Sequence, residues 1–196
     1  LDNIKQVSGG IDFSTALTND GTIYAWGLGT SGQIGNGVAE TVYVPTQVSN
    51  LVDITKIDAG GMQTIALKKD GTVWGWGLNR YGNLGINTSS TTTSNAAYKK
   101  TTPVQVLVAA STPIENVVDI SSMNETSFAL TKDGEVYGWG LNTSGQIADN
   151  TIVNKTVATK VKVAGGAGIT KIKCLADGQQ SNTNFMIDEN GYFYGN

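Results

Sequence analysis

The chain has 196 residues, 39% of them hydrophobic and 15% charged, a balance that fits a globular domain with a core and excludes a disordered segment. Its net charge of −3, with scattered lysines, argues against broad binding to a phosphate backbone, which needs clustered Lys and Arg. With no histidine and the single cysteine Cys174, the sequence excludes histidine-based acid–base chemistry, an intrachain disulfide and a zinc site built from these residues, and no apolar run reaches the ~20 residues of a membrane-spanning helix.

In chain order, a strand is predicted over Ile4–Val7 and a second over Ser14–Leu17. Asp20-Gly21 then turns the chain into Tyr24-Ala25-Trp26-Gly27, and a glycine-rich stretch, Leu28-Gly29-Thr30-Ser31-Gly32-Gln33-Ile34, precedes a short strand at Thr46–Val48. The pattern returns as Ile54–Ile57, Thr64–Leu67, Asp70-Gly71, Trp74-Gly75-Trp76-Gly77, Leu78–Leu84 and Pro103–Val106. A third copy runs through Val117–Ile120, Ser127–Leu130, Asp133-Gly134, Tyr137-Gly138-Trp139-Gly140, Leu141–Ile147 and Ala158–Val161. A fourth begins with Ile169–Ile172 and Asn184–Ile187, and reaches Asn190-Gly191 and Tyr194-Gly195.

The turns start at positions 20, 70, 133 and 190, spacings of 50, 63 and 57 residues, a period that marks a solenoid or a propeller. Asp-Gly between apolar runs is a hairpin signal, read here as a type I′ turn with positive φ at both central residues. With 25 glycines and 3 prolines, tight turns must be made largely without proline. In the glycine-rich stretches the Asn or Gln side chains can bond turn backbone. No segment combines helical periodicity with caps. The expected fold is all-β: propeller blades of four-stranded antiparallel sheets at about 1–50, 51–113, 114–166 and 167–196, the last incomplete.

The unit of aliphatic-Ala-Leu, Asp-Gly, then Trp-Gly-x-Asn-x-x-Gly-Gln-Leu resembles the repeat of the regulator-of-chromosome-condensation family, and the resemblance covers essentially the whole chain. It departs from that repeat at the places where the family often has His, here Phe13, Gln63, Thr126 and Thr183, and at Ala148, which replaces a glycine. The resemblance implies a binding role rather than catalysis. A nucleotide-exchange factor for a small GTPase is the alternative, and a propeller glycosidase or lyase ranks below it. Members of the family typically close rings of seven blades. The expectation is therefore a fragment of a larger bacterial repeat protein, favoured over a homodimer, with the flanks at Ile4–Val7 and Phe185–Ile187 open to self-association. Because the first residue is Leu1, a processed or excised chain is expected, and an extracytoplasmic or cell-surface setting is favoured.

No cofactor, metal or catalytic residue is assigned, and the partner expected is another protein, with no nucleic acid and no membrane insertion. Asp20, Asp70 and Asp133 read as turn residues with Gly21, Gly71 and Gly134; Trp26, Trp76 and Trp139, each followed by Gly27, Gly77 or Gly140, read as equivalent packing residues between blades. Cys174, in a strand-like stretch, reads as a small buried hydrophobe. The units differ most where Thr30-Ser31 and Thr143-Ser144 correspond to Arg80-Tyr81, residue types enriched at binding hot spots. Arg80, Tyr81, Lys99 and Lys100, with the Thr88–Lys100 loop, are the candidate partner-binding residues, and an insertion at Asp177–Asn182 is a second variable loop. Four glycosylation-type triplets begin at Asn87, Asn124, Asn142 and Asn154; in a chain rich in Asn and Thr they reflect composition.

Overall fold

A computed structural model describes residues 1–92, 96–162, 171–176 and 185–195. The first sheet is a meander of β1 (Ile4–Gly9), β2 (Phe13–Thr18), β3 (Ile23–Gly27) and β4 (Val42–Gln47). The second repeats it with β5 (Ile54–Ala59), β6 (Gln63–Lys68), β7 (Val73–Leu78) and β8 (Lys99–Gln105). A small hairpin, β9 (Leu107–Ala109) and β10 (Thr112–Pro113), follows, and β9 packs beside the outer strand of the third sheet. That third sheet is β11 (Val117–Ser122), β12 (Thr126–Thr131), β13 (Val136–Gly140) and β14 (Lys155–Lys160). The fourth contributes β15 (Ile172–Ala176), β16 (Phe185–Asp188) and β17 (Phe193–Gly195). All pairings are antiparallel and no helix occurs among the described residues, so the all-β blade architecture read from the sequence is observed.

Successive sheets stack face to face through their first strands, β1 on β5, β5 on β11 and β11 on β15. The second strands carry the aliphatic-Ala-Leu pattern because they lie between two neighbours: β6 and β12 are buried along nearly their whole length. Three apolar clusters fill the spaces between consecutive sheets, around Ile57 and Trp76, around Ile120 and Trp139, and around Phe128 and Ile172. Each first strand has a register shift near its start, at Ile4/Gln6, Ile54/Lys56, Val117/Asp119 and Ile172/Cys174, where an extra residue bends the strand.

The Asp-Gly turns sit at hairpin tips, but they are not type I′. Only the glycines have positive φ (84° at Gly21, 83° at Gly71, 78° at Gly134), whereas Asp20, Asp70 and Asp133 do not. The amide of Gly21 donates to Thr18 O, and Thr18 N donates to Thr22 O, the pattern of a type I turn closed by a glycine bulge. The carboxylates explain the aspartates: Asp20 Oδ1 accepts from Thr22 N at 3.1 Å and Asp70 Oδ1 from Thr72 N at 3.0 Å. The turn glycines also join the blades, since Ile54 N, Val117 N and Ile172 N donate to Gly21, Gly71 and Gly134 carbonyls. The fourth strands start earlier than the short runs predicted, at Val42, Lys99 and Lys155. The strand expected at Ile169–Ile172 is seen from Ile172, and Asn184 and the 166/167 blade boundary lie outside the described residues.

The tryptophans divide into two kinds. Trp76 and Trp139 are fully buried, and each indole Nε1 donates at 2.9 Å to a carbonyl in the glycine-rich loop of the preceding blade, Gln33 and Asn83 respectively. Trp26 is only half-buried, which corrects the expectation that all three are equally enclosed: no described blade stands on its side of the first sheet. Cys174 is likewise half-buried rather than enclosed. Trp76→Ala should therefore cost ~3–5 kcal/mol, as large-to-small core changes do, and Trp26→Ala clearly less. Urea unfolding of both variants checks this, and equal losses would detach the cost from the loop contact.

Candidate interaction surface

The turns between first and second strands and the glycine-rich loops between third and fourth strands emerge at the same end of the sheets. Backbone bonds tie each loop to its own turn: Leu28 N donates to Asp12 O, Leu78 N to Met62 O and Leu141 N to Glu125 O. Turns of neighbouring blades are joined as well, Ile11 N to Gly61 O and Gly61 N to Asn124 O, both at 2.8 Å. The loop tips have one repeated lock. Gln33 Oε1 accepts from Ser31 N, Asn83 Oδ1 from Tyr81 N and Gln146 Oε1 from Ser144 N, each at 2.9 Å. Loop and next blade fit so closely that a Cβ on Gly35 would lie 2.7 Å from Trp76 Nε1, and Gly35 has φ +76°.

Asn79 and Asn142 organise the loop interiors. Asn79 Oδ1 accepts from Leu84 N, and its Nδ2 donates to Thr88 O and Ala97 O, so it holds both ends of the second blade's long insertion. Asn142 does the same in the third blade, where Nδ2 reaches Asp149 Oδ1 at 3.0 Å. Burial alone would raise the Asp149 carboxyl, but Lys155, at 2.6 Å, with Thr151 and Asn142, holds it below the usual range. Ala148, in the place of Gly35 and Gly85, keeps their left-handed backbone at φ 55°.

Arg80 and Tyr81 project from this face at the junction of the second and third blades. The guanidinium lies over the Tyr81 ring, 5.0 Å from its centroid, a cation–π stack. Arg80 is exposed and Tyr81 half-buried. Asn83 Nδ2 donates to Glu125 O at 3.3 Å and so brings the turn of the third blade under this pair. Burial pushes the Glu125 carboxyl above its usual range, and the charge of Arg80 offsets part of that rise. Lys99 and Lys100 do not join Arg80 in one contact. Lys99 Nζ reaches across to the first blade, donating to Thr30 O at 2.8 Å, and Lys100 Nζ donates to Ala96 O at 3.1 Å.

Glu125 and Met62 were not singled out by sequence reasoning. Ser31 Oγ stands 3.8 Å from Met62 Sδ in the first junction, the place that Tyr81 and Glu125 take in the second. Residues 93–95 of the Thr88–Lys100 loop, the Asp177–Asn182 insertion and Thr183 lie outside the described residues. Of the residues in place of the family's histidine, Phe13 and Gln63 serve blade junctions and Thr126 ties its own blade's loop. Phe13 is buried in the first core cluster, Gln63 Nε2 donates to Met123 O at 3.1 Å, and Thr126 Oγ1 donates to Leu141 O at 2.8 Å. Of the glycosylation-type triplets, Asn142 is buried and Asn154 Oδ1 accepts from Asn142 N, while Asn87 is exposed. Among the described residues no group of His, Cys, Asp and Glu side chains could hold a metal, and no helix is long and apolar enough to cross a membrane.

Four-stranded meanders stacked through their first strands, with a loop carbonyl of one capping the indole of the next, define a β-propeller repeat protein. The chain belongs to the regulator of chromosome condensation (RCC1) repeat family, whose repeat matches residues 20–67, 70–130 and 133–176 and, in a second form, residues 4–33, 54–83 and 117–146. Over 153 residues, 76% of this chain, it is 31% identical to the human E3 ubiquitin-protein ligase HERC2, of which it spans 3%. In structure it is similar to human WBSCR16, with a TM-score of 0.76 at 17% identity, covering 98% of this chain and 46% of that one. It is also similar to yeast RCC1 (Prp20), solved bound to Kap60, with a TM-score of 0.73 at 24% identity, covering 98% and 43%. The chain thus spans a small part of the first relative and under half of both solved chains.

Glu125 supplies a test of this geometry. Its folded carboxyl binds a proton more tightly than an unfolded one, so it costs stability as pH rises from the ordinary glutamate range through the raised folded value, and the full cost persists above it. Glu125→Gln should therefore raise the urea midpoint near neutral pH and leave it unchanged in acid, below the ordinary carboxylate range. An equal gain at both pH values would remove the titration from the explanation.

Proposed function

We propose that the chain is a protein-binding scaffold, not a catalyst, and that its loop face, with Arg80 and Tyr81, contacts the partner. The observation that carries this reading is the stacked Arg80–Tyr81 pair, placed where the first and third blades have Thr30-Ser31 and Thr143-Ser144. The two side chains are presented on a backbone held by the Asn83 lock, so little order is lost when they are covered. The yeast RCC1 relative was solved in complex with the protein Kap60, which supports a protein as partner here. The absence of histidine from the chain leaves this face without the commonest general base.

Capture of the partner from the source organism, followed by titration, tests the reading. Alanine at both Arg80 and Tyr81 should weaken binding about tenfold or more, the scale of hot-spot losses, with the chain still fully folded in the absence of urea. Unchanged affinity would return both residues to ordinary surface.

We propose a second contact surface on the flank of the first sheet, fitted to a further unit of the same repeat. The chain contains two complete examples of what covers such a flank. In both, a loop carbonyl takes the indole N–H, and a loop amide, of Gly37 or Asn87, donates to a fourth-strand carbonyl, of Thr101 or Thr156. The corresponding positions of the first sheet are Trp26 and Tyr43, and Tyr43 is 90% exposed. Val7 is 69% exposed where Ile57 and Ile120 are fully buried, and an open groove of about 350 Å³ runs past Val7, Gly9, Ser14 and Trp26. In light scattering the 196-residue chain should gain mass with concentration, and Val7→Lys should return it to a single chain. A monomer at every concentration would count against this surface.

A further inference from the structure

The charged side chains of the loop face are unevenly shared among the blades. Arg80 is the only arginine of the chain, and Lys99 and Lys100 enter the same blade end, since Leu78 pairs with Lys99 and Gly77 with Lys100 in the sheet. Lys56, Lys68, Lys155, Lys160 and Lys171 each form an ion pair with a carboxylate. Among the described residues Arg80, Lys99 and Lys100 form none: Lys99 and Lys100 bond to backbone carbonyls, and Arg80 lies on a tyrosine ring. Among the described residues the acidic groups on this face are Asp12 and Glu40, both on the first blade, Asp149 on the third, which is buried and paired with Lys155, and Glu125, the carboxylate felt by Arg80, in which burial favours the neutral form. A protein of net charge −3 thus carries, on one blade end, three cations with which no described carboxylate forms an ion pair.

The Arg80 side chain is suited to a planar acceptor. With the guanidinium over the Tyr81 ring, no hydrogen bond joins it to a described residue, so its N–H groups can take a bidentate carboxylate. Lys99 fixes its ammonium at Thr30 O, in the first blade's loop, so the cations span the second blade from one neighbour to the other rather than marking one point.

We propose that the loop end of the second blade is a docking site for an acidic peptide segment of a partner protein, with a carboxylate of that segment held by Arg80 and further acidic residues along Lys99 and Lys100. This rests on the reading of the loop face as a binding surface and adds the chemistry of what it binds.

Fluorescence anisotropy with labelled polyglutamate tests it, alongside labelled polylysine and a single-stranded DNA oligonucleotide. The expected result is binding of polyglutamate that weakens with salt and falls about tenfold in Arg80→Ala. Arg80→Lys should retain part of it, and Lys132→Ala, at an exposed lysine on the opposite hairpin face, all of it. No binding of polyglutamate, or an equal loss in Lys132→Ala, overturns the proposal. DNA bound as tightly and with the same dependence on Arg80 overturns it too, since the site would then select phosphate. If capture of the natural partner depends on Arg80 and Tyr81 while polyglutamate is not bound, the acidic segment is wrong and the loop face stands. If polyglutamate depends on Arg80 while the natural partner does not, the site binds acidic chains without serving the partner, and both the loop-face reading and this proposal fail.

Discussion

The bond from a buried indole to a loop carbonyl of the preceding blade, Trp76 to Gln33 and Trp139 to Asn83, is the constraint on which the rest of this structure depends. A tryptophan can be buried completely only if its N–H finds an acceptor, and here the acceptor belongs to another repeat. One contact therefore links a strand, a neighbouring blade and the shape of a loop. It also accounts for the glycines: the loop must pass within contact distance of the ring, and at Gly35 and Gly85 a side chain would meet Trp76 or Trp139.

The same contact makes the variable positions useful. Because Gln33, Asn83 and Gln146 lock the loop tips from below, the residues just before them face outward on a backbone already set. Small polar residues there give a neutral tip. The Arg80-Tyr81 substitution puts a stacked cation in the same frame without altering the lock. Loops on a rigid scaffold carry recognition for this reason.

The inner strands add a polar layer to the stack. Asp58 is buried, yet its carboxylate accepts from Ser8 Oγ on one neighbouring blade and from Ser122 N on the other, at 2.9 and 2.6 Å. Lys56 meets Asp119 of the next blade at 2.5 Å, and Gln6 bonds both backbone groups of Ile57. Paired in this way, buried polar groups set the register between blades, which apolar packing alone leaves loose.

Strands, hairpins and the repeat itself were legible in the sequence, because each is encoded by contiguous residues. The aliphatic-Ala-Leu run, Asp-Gly and the aromatic-Gly strand specify a hairpin within about fifteen residues, and copies of it announce their own equivalence. Even so, the turn type was misread, since Asp-Gly suits a glycine-bulge turn as well as type I′, and only the backbone angle at Asp20 separates them. Trp26, Trp76 and Trp139 occupy equivalent positions of the repeat and differ in burial, because burial is a property of the neighbouring blade. Glu125 lies beneath Arg80, and Lys99 reaches Thr30, across separations of 45 and 69 residues that no local pattern encodes. The sequence by itself determined the unit and its repetition. The tertiary structure decided which faces of those units meet, because stacking brings together side chains from different repeats whose contacts no single repeat contains.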